Sequence, residues 1–445
     1  MDSIATAAPA TPGRLARTDR RRRTRGAAPA RLRRVALYSH DTQGLGHVRR
    51  NIAVAAALVG ADPATNVLLL TGAPEATSLP LPPRTEVVTL PALAKSTDGS
   101  YASRVLDAPL ADVLRIRAGV VTAALLAFAP DLLVVDKVAR GVHGELDEAL
   151  RVLRETLPTR VVLGLREVLD HPVAARREWE RDRTDDVLRD SYDAVWVYGD
   201  PRVYDPVAEY GLSPDVAAMT VHTGYLGRGR QDGTRTRTRA GRVRRPDGPY
   251  ALCLVGGGQD GVDLARAFLA APLPTGVQGI AVTGPYMAAE QRRELRGLAA
   301  ARDDVRVLDF VPDAADLVAG AAAVVSMAGY NSVCELLAAR RPTLLVPRVR
   351  PRREQLVRAR RLAARGLVDM LHPDVCHAGA VGDWLARVLP PAADADRPAP
   401  EQPADVDLDG LARLPGLARS LVAAAPRRPA AAAATRDLEV DRVAV

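Results

Sequence analysis

Residues 34–59 read RVALYSHDTQGLGHVRRNIAVAAALV, and residues 250–270 read YALCLVGGGQDGVDLARAFLA. Each stretch begins with a short apolar run typical of a buried strand, passes through a glycine-rich turn and ends in a helical pattern. Further short apolar runs alternate with helical stretches after each of them. This alternation predicts parallel sheets wrapped by helices. We therefore expect an α/β protein with two Rossmann-like, doubly wound domains that face a central cleft.

The two halves are separated by a segment of different composition. Residues 227–249 contain Gly, Thr, Arg and Pro and almost no apolar side chains, which is typical of a linker. In the first half we expect helices over 48–59, 102–128 and 144–156. The predicted organisation is a disordered Arg-rich tail at 1–33, an N-terminal domain at 34–226, a basic linker at 227–249, a C-terminal domain at 250–389, and a Pro/Ala-rich tail at 390–445 with one helix near 408–424.

The positive charge of the chain is concentrated in two segments. The formal net charge is +8, but residues 14–34 contain ten Arg and one Asp, and residues 228–247 contain eight Arg and two Asp. These segments together carry +15, so the remainder of the chain carries −7. The predicted domains are mildly acidic, and we expect no specific nucleic-acid partner. Contact of the Arg-rich segments with an anionic surface stays open.

Cysteine and histidine usage excludes several classes of site. The three cysteines, Cys253, Cys334 and Cys376, are widely spaced, which excludes a disulfide framework and a CxxC zinc site and fits a reducing cytoplasm. The seven histidines show no metal-ligand spacing. No stretch approaches 18 apolar residues without a charge, so no membrane span is expected. The sequence predicts a cytoplasmic protein without a metal site.

The first glycine-rich loop, QGLGH at 43–47, joins the first strand to the first helix. Gly44 and Gly46 allow a tight turn, and the helix N-terminus that follows can hold an anion or a developing negative charge. His47 lies at this mouth, where an imidazole can take up a proton near neutral pH. The loop alone also fits a simpler role in which His47 caps the helix.

The second loop, GGGQDG at 256–261, directly follows an apolar strand. Three successive glycines expose backbone N–H groups and allow a diphosphate to approach closely. The spacing and the lack of a following acidic residue differ from the dinucleotide fingerprint, which argues against a dinucleotide-dependent oxidoreductase. A plain turn is the alternative interpretation.

The third motif, SMAGYNSVCE at 326–335, reads as a strand end, a glycine turn and a helix start. Gly329 and Asn331 suit the turn, and Ser332 lies near the helix start, where it can serve as a cap. Glu335 falls about one turn into the helix, where a carboxylate can accept hydrogen bonds from two hydroxyl groups. A surface glutamate favoured by the helix dipole is the alternative for Glu335. Cys334 lies on the apolar face and is expected in the core.

Together these motifs resemble the GT-B glycosyltransferases whose C-terminal half is of the family 28 type. The chain is similar to the lipid-linked N-acetylglucosaminyltransferase of peptidoglycan synthesis, to plant monogalactosyldiacylglycerol synthases and, above all, to a bacterial group of predicted glycosyltransferases. The resemblance covers residues 34–225 weakly and 250–372 strongly. It implies a nucleotide-sugar donor bound by the C-terminal domain and an acceptor bound by the N-terminal domain.

The resemblance implies a role for each matching donor-side residue. The GGGQDG loop faces the diphosphate, the main chain of Phe310–Val311 reads uracil, and the turn at 329–332 lies at the phosphates. Glu335 holds the ribose hydroxyls, and the pair Glu354–Gln355 reads the donor sugar. The implied donor-binding residues are Gly256, Gly257, Gly258, Gln259, Val311, Gly329, Asn331, Ser332, Glu335, Glu354 and Gln355.

On the acceptor side, the resemblance implies that QGLGH is the glycine loop of the N-terminal domain and that His47 is the base or an acceptor-site group. Asp136 lies at the end of one predicted strand and Arg166 follows another, and from their positions we expect them to face the same crevice. One departure concerns Ala328, which stands where the family often has Ser before the turn glycine, so main-chain amides must bind the phosphates without that hydroxyl. The expected acceptor-side residues are Gly44, Gly46, Asp136 and Arg166, with His47 as the catalytic residue.

The resulting expectation is an inverting hexosyltransferase that is independent of metal ions and cofactors and uses a nucleotide-sugar, UDP-linked by resemblance, as its donor substrate. The residues do not identify the acceptor. A lipid-linked acceptor and weak peripheral contact with the inner face of the membrane are compatible with the related enzymes. Two alternatives stay open, namely a nucleotide-sugar epimerase on the same fold and a non-catalytic nucleotide-sugar-binding protein.

Overall fold

The computed structural model describes residues 32–40, 45–95, 101–229, 245–311, 314–389 and 405–424. It contains two fully parallel sheets, one in each half of the chain, and helices cover both faces of each sheet. The predicted fold class is therefore confirmed. Residues 1–31, 390–404 and 425–445 of the predicted tails and residues 230–244 of the predicted linker lie outside the described residues. The prediction of disorder through residue 33 is wrong at its end, because Leu32 is buried in the core and the backbone N–H of Arg33 donates to Asp131 at 2.8 Å.

The N-terminal sheet has seven strands in the described residues, in the order β3-β2-β1-β6-β7-β8-β9. A short antiparallel pair, β4 and β5, lies beside it. The strands are β1 (Arg34–Ser39), β2 (Asn66–Thr71), β3 (Thr85–Thr89), β4 (Leu93–Lys95), β5 (Tyr101–Ser103), β6 (Leu132–Asp136), β7 (Arg160–Arg166), β8 (Ala194–Tyr198) and β9 (Thr220–His222). The helices are α1 (Gly46–Ala61), α2 (Leu110–Phe128), α3 (Asp147–Thr156), α4 (Pro172–Arg181), α5 (Thr184–Ser191), α6 (Pro206–Tyr210) and α7 (Pro214–Ala218).

The C-terminal sheet has six strands in the described residues, in the order β12-β11-β10-β13-β14-β15. The strands are β10 (Tyr250–Leu254), β11 (Gln278–Val282), β12 (Val305–Leu308), β13 (Ala323–Ser326), β14 (Thr343–Leu345) and β15 (Asp369–Met370). The helices are α8 (Val262–Ala270), α9 (Ala289–Ala300), α10 (Ala315–Gly320), α11 (Tyr330–Ala339), α12 (Glu354–Ala364), α13 (Ala378–Val388) and α14 (Gly410–Ala423).

In both sheets the strand order reverses beside the first strand. β1 pairs with β2 on one side and with β6 on the other, and β10 pairs in the same way with β11 and β13. Ligands of open parallel sheets bind outside the carboxyl ends of the strands at this switch point, because the loops there diverge and leave a crevice. The residues that follow β1, β6, β10 and β13 are therefore the ones placed to contact a ligand.

One predicted helix is shorter than expected. The stretch 102–128 was predicted as helical throughout, but Tyr101–Ser103 pairs with Leu93–Lys95 as a strand and the helix starts only at Leu110. Pro109 has extended backbone angles and immediately precedes that helix. A proline disfavours helical geometry in the residue before it, so the apolar pattern cannot continue as helix through this point.

The last described helix, α14, packs against the first one. Its buried residues share a hydrophobic cluster with Val48 and Ile52 of α1. The segment that leads into it forms an antiparallel bridge between Leu226 and Asp409. The core of the N-terminal domain is therefore completed by residues from the far end of the chain. The apolar residues of this segment in the cluster are Leu408, Leu411, Leu414 and Ala418.

Candidate active site between the domains

The first switch point brings together His47, Asp136 and Arg50. Asp136 ends β6, and its carboxylate lies against Nδ1 of His47 at the start of α1. Arg50, three residues after His47 and so on the same helix face, donates to Oδ1 of Asp136 from Nε at 3.0 Å and from Nη2 at 2.7 Å. Asp136 and Arg50 are buried, whereas the side chain of His47 keeps 17% exposure. His47 is therefore the member of the triad that remains accessible.

The electrostatics of this triad define the role of each group. Burial opposes ionisation of Asp136, but the neighbouring Arg50 and His47 outweigh burial and hold the pKa of Asp136 well below its usual range. The carboxylate accordingly stays charged, and a charged carboxylate favours the tautomer in which Nδ1 of His47 carries the proton. Nη2 of Arg50 also lies 3.0 Å from this nitrogen. That tautomer leaves Nε2 as the basic nitrogen of the imidazole, the arrangement in which a histidine can remove a proton from a hydroxyl group.

The second switch point carries the GGGQDG loop. Gly256 and Gly258 have φ angles of +64° and +92°, which favour glycine. A Cβ on Gly258 would lie 2.2 Å from the backbone oxygen of Thr283, so only glycine fits there. Gly257 accepts a hydrogen bond of 2.9 Å from the backbone N–H of Tyr286. At Gly256, by contrast, a Cβ would meet no described atom within 4 Å, which leaves room for a ligand to approach the backbone.

The turn after β13 leads into α11, which starts at Tyr330 with Gly329 as its N-cap. The expectation that Ser332 caps this helix is wrong, because no side chain caps it and Ser332 is already the third helical residue. Asn331 was predicted at the donor phosphates, and its Nδ2 donates to the backbone oxygen of Gly46 at 2.8 Å. The two glycine-containing turns, one from each domain, are thus in direct contact.

A buried arginine supports this turn from behind. Arg358 of α12 donates from Nη1 to the backbone oxygen of Ala328 at 3.0 Å. Its guanidinium also pairs with Glu167 of the N-terminal domain at 2.6 and 3.1 Å, and both side chains are fully buried. The ring of Tyr330 lies between Arg358 and Arg50, with ring-centre distances of 5.7 and 5.6 Å. The backbone of the turn is therefore fixed at Ala328, the position where the family often has a serine hydroxyl.

Glu354 and Gln355, the pair predicted to read the donor sugar, begin α12. Arg348 donates to Oε1 of Glu354 from Nη2 at 2.6 Å and to Asp260 of the GGGQDG loop from Nη1 at 3.0 Å. Gln355 accepts from the backbone N–H of Arg348 at 3.0 Å. Oε2 of Glu354 is buried and has no hydrogen-bond partner within the described part of the chain. One acceptor atom of the pair therefore remains for a ligand.

A cavity of about 1130 Å³ lies between the domains beside these residues. Asp170 and His171 line it from the N-terminal domain, and Gln259, Arg348 and His372 line it from the C-terminal domain. Neither His47 nor Glu335 lines this cavity. It therefore extends from the GGGQDG loop toward α4 rather than toward the His47 triad.

Comparison with known proteins identifies the C-terminal domain. Residues 251–393 match the Glycosyltransferase family 28 C-terminal domain. The C-terminal domain is a family 28 domain. A comparison with curated proteins gives no match.

Two solved glycosyltransferases and a putative epimerase share the two-domain fold with this chain. A UDP-glucosyltransferase from Polygonum tinctorium is 11% identical, with a TM-score of 0.54 over 89% of this chain and 100% of that chain. A putative UDP-N-acetylglucosamine 2-epimerase from Listeria monocytogenes is 12% identical, with a TM-score of 0.55 over 88% and 96%. The glycosyltransferase VinC, solved with dTDP, is 16% identical, with a TM-score of 0.53 over the same shares. The fold is GT-B, and family and fold together are those of a glycosyltransferase.

The remaining predicted site residues have different surroundings. Val311 is buried, whereas Phe310 beside it is 41% exposed. Glu335 and Ser332 are half-buried on α11. Cys334 is fully buried, as expected of a core residue. Gly44 lies outside the described residues.

Sequence reasoning missed three residues that the structure places at the centre of the site. Arg50 pairs with Asp136, Tyr330 stacks between two arginines, and Arg348 bridges the GGGQDG loop to α12. The spacing of three residues between His47 and Arg50 was a usable signal, because it places both on one helix face. The partners of Tyr330 and Arg348 are remote in sequence and gave no such signal.

The described residues contain neither a metal-binding cluster nor a membrane-spanning helix. No group of three or more His, Cys, Asp or Glu side chains there could hold a metal ion. None of the helices described is long and apolar enough to cross a membrane. The expectation of a metal-independent reaction stays a prediction.

Proposed function

We propose that the protein is an inverting glycosyltransferase that moves a hexosyl group from a UDP-sugar to an acceptor hydroxyl group. The observation that carries this proposal is the contact between the two turns, with Nδ2 of Asn331 bound to the backbone of Gly46. This contact sets the His47–Asp136 pair of one domain beside the α11 N-terminus of the family 28 domain. A base and a donor site therefore share one crevice.

On the acceptor side, Nε2 of His47 takes the proton from the acceptor hydroxyl as its oxygen attacks the anomeric carbon of the donor. The bond from that carbon to the diphosphate oxygen breaks, and the electron pair leaves with the diphosphate. Because attack occurs on the face opposite the leaving group, the anomeric configuration is inverted. Asp136 stays ionised throughout and stabilises the imidazolium that forms.

On the donor side, the diphosphate is held by backbone N–H groups of the GGGQDG loop and by the N-terminus of α11, which no side chain caps. These groups stabilise the negative charge that develops on the leaving diphosphate without a divalent ion. Val311 contacts the base through its main chain, Glu335 binds the ribose hydroxyls, and the Glu354–Gln355 pair binds the sugar. No cofactor takes part, since the nucleotide-sugar is a substrate.

We propose further that the acceptor is lipid-linked and that the protein reaches it by weak peripheral contact with a membrane. Co-sedimentation of the protein with anionic vesicles tests it. Binding of neutral and anionic vesicles to the same small extent would contradict it.

Calorimetric binding of UDP, GDP, dTDP and NAD to the wild type and to Glu335→Ala tests the donor site. We expect UDP to bind more tightly than GDP, dTDP and NAD, and the substitution to weaken UDP because the ribose hydroxyls lose their acceptor. Glu290→Ala serves as the matched control, since Glu290 is an exposed carboxylate in the first turn of α9. Absence of nucleotide binding, or equal affinities of wild type and Glu335→Ala, would contradict the proposal.

An epimerase is the second candidate, favoured by the fold shared with the putative epimerase from Listeria monocytogenes at a TM-score of 0.55. The two reactions differ in whether an acceptor is consumed. An epimerase incubated with a UDP-sugar alone would convert it to the epimeric UDP-sugar, whereas a glycosyltransferase without an acceptor would leave the donor unchanged. We expect unchanged donor.

A further inference from the structure

Lys137 and Arg166 are two neighbouring cations that form no ion pair within the described part of the chain. Lys137 follows β6 directly, and Arg166 is the last residue of the neighbouring strand β7. The backbone N–H of Lys137 donates to Gly164 of β7 at 2.8 Å, so the two residues leave adjacent strands side by side. Over the described ranges, neither side chain makes a hydrogen bond or an ion pair, and Nε of Arg166 is buried without a partner.

The surrounding arginines differ from these two because each already has a carboxylate. Arg50 binds Asp136, Arg358 binds Glu167, Arg352 binds Glu178 and Arg348 binds Glu354. Glu178 and Glu354 attract Lys137 and Arg166 from nearby, but each of these carboxylates forms its hydrogen bonds with another arginine. Lys137 and Arg166 are left as a concentrated positive charge at the carboxyl ends of the strands, where ligands of such sheets bind.

This arrangement is unfavourable for the backbone of Lys137 and for the charged forms of Lys137 and Arg166. Lys137 has a φ of +71°, a conformation that non-glycine residues adopt rarely. Burial, with Arg352 and Arg166 nearby, lowers the pKa of Lys137 to about 7. Burial also lowers the pKa of Arg166 to about 10. An anion bound between the two side chains would relieve both effects.

We propose that Lys137 and Arg166 form a subsite for an oxyanion, a carboxylate or a phosphate, carried by the acceptor substrate. The inference rests on the proposed function. The acceptor is favoured over the donor because both residues belong to the N-terminal domain and Lys137 follows Asp136, which holds the base His47. The donor-side groups lie on the C-terminal domain. Arg166 offers several N–H donors and Lys137 a compact ammonium, a pair that suits a single oxyanion with charge-assisted hydrogen bonds.

Inorganic phosphate is the probe for the subsite itself. Its affinity for the protein is measured by calorimetry with and without saturating UDP, which fills the donor diphosphate site. We expect phosphate to bind the UDP complex, and Lys137→Met and Arg166→Gln each to weaken it about tenfold or more, the loss expected for one charge-assisted hydrogen bond. Arg177→Gln, which removes an exposed charge from the same cleft, is expected to change the affinity less than about twofold.

The outcomes separate the subsite from the proposed function. Failure of UDP to bind the wild type counts against the glycosyltransferase proposal, whereas the phosphate titration without UDP still reports on the subsite. Unchanged UDP affinity in the two variants shows that they fold. Equal phosphate affinities of the wild type and the two variants, or an equal loss in Arg177→Gln, would overturn the subsite.

Acceptor pairs that differ by one anionic group identify which substrate carries the oxyanion. Glycerol is compared with glycerol 3-phosphate, and glucose with glucuronate, at a fixed donor. We expect kcat/KM to favour the anionic member, and the preference to fall about tenfold in Lys137→Met and in Arg166→Gln. A preference that instead follows the donor, with UDP-glucuronate favoured over UDP-glucose and neutral acceptors used equally well, would overturn the assignment to the acceptor.

Discussion

A histidine beside a carboxylate is useful as a base only when the carboxylate keeps its charge. Arg50 ensures this for Asp136, because its guanidinium binds both carboxylate oxygens in a buried position. In the proposed reaction Asp136 is therefore the orienting group, and the accessible His47 exchanges the proton. This division of roles is what the first prediction tests.

We expect Asp136→Asn to lower kcat about 10²- to 10⁴-fold, because an amide neither fixes the Nδ1–H tautomer of His47 nor stabilises the imidazolium. UDP affinity should stay at the wild-type value. The measurement is steady-state kinetics together with calorimetric UDP binding. Asp147→Asn is the control, since Asp147 pairs with Arg140 at a half-exposed position away from the triad. A wild-type kcat in Asp136→Asn would refute the role.

The second prediction concerns pH and the Lys137 ammonium. Because the pKa of Lys137 is lowered to about 7, the group is charged below that pH and neutral above it. Sulfate does not titrate in this range, and we expect its affinity to fall as the pH rises from 6 to 8. Lys137→Met should flatten the profile. Among the groups that act on the pKa of Lys137, Arg166, Arg352, Glu178 and Glu354 keep their charge between pH 6 and 8. The buried His40 stays neutral over this range, because its pKa is lowered well below its usual value.

Single residues of the site were predictable when a strand end or a glycine turn marked them. His47 and Asp136 were found in this way, one after a loop and the other after an apolar run. Their pairing was not predictable, because 89 residues separate them and only the parallel alignment of β1 with β6 brings them together. Arg348 had no such marker, since its role depends on two partners from different loops.

At the level of the elements, the glycine loop after β10 has two positions with different constraints. Gly258 is enclosed by the segment at 283–287, whereas Gly256 faces open space. Both have positive φ angles, so an alanine at either position is strained. Only at Gly258 is a steric overlap with backbone added to that strain. The two substitutions should therefore have different consequences.

We expect Gly258→Ala to reduce the free energy of unfolding by about 2–4 kcal/mol, because the new Cβ overlaps the backbone of Thr283. Gly256→Ala should cost about 1 kcal/mol but weaken UDP binding clearly, because its Cβ occupies space that the diphosphate needs. Denaturant unfolding and calorimetry measure the two effects. Equal losses of stability in both variants would contradict the assignment of Gly256 to ligand contact.

The elements that the sequence did not reveal are short and polar. α4 buries only Ala175, and α5 buries only Thr184 and Leu188. Such helices contain few apolar residues, and apolar residues carry the signal that sequence reasoning uses. The buried strands, in contrast, appeared as short apolar runs, and these runs predicted the two parallel sheets.

At the scale of the whole molecule, α12 and the residues just before it hold the two domains together. Arg358 binds Glu167, Arg352 binds Glu178 with two contacts of 2.9 Å, and Arg361 binds Glu209. The members of the first pair are 191 residues apart, so no local pattern in the sequence could predict them. The buried Arg358–Glu167 pair and the half-exposed Arg361–Glu209 pair should contribute differently to the free energy of unfolding, because water screens only the second pair.

We expect Arg358→Met to cost about 3–5 kcal/mol, since it leaves the Glu167 carboxylate buried without its cation. Arg361→Gln, which removes a half-exposed partner, should cost less than about 1 kcal/mol. The double variant Arg358→Met with Glu167→Gln should recover part of the loss. Denaturant unfolding measures all three. A double variant that is less stable than Arg358→Met would show that an uncompensated charge is not the cause.

The packing of α14 on α1 also has a consequence for the order in which the protein can fold during synthesis. The first helix is synthesised early, but its apolar face is covered only when Leu408, Leu411 and Leu414 have been synthesised. More than 300 residues, including the entire family 28 domain, emerge in between. The N-terminal domain is therefore the first to be made and the last to be completed, and its nascent form exposes an apolar surface for most of translation.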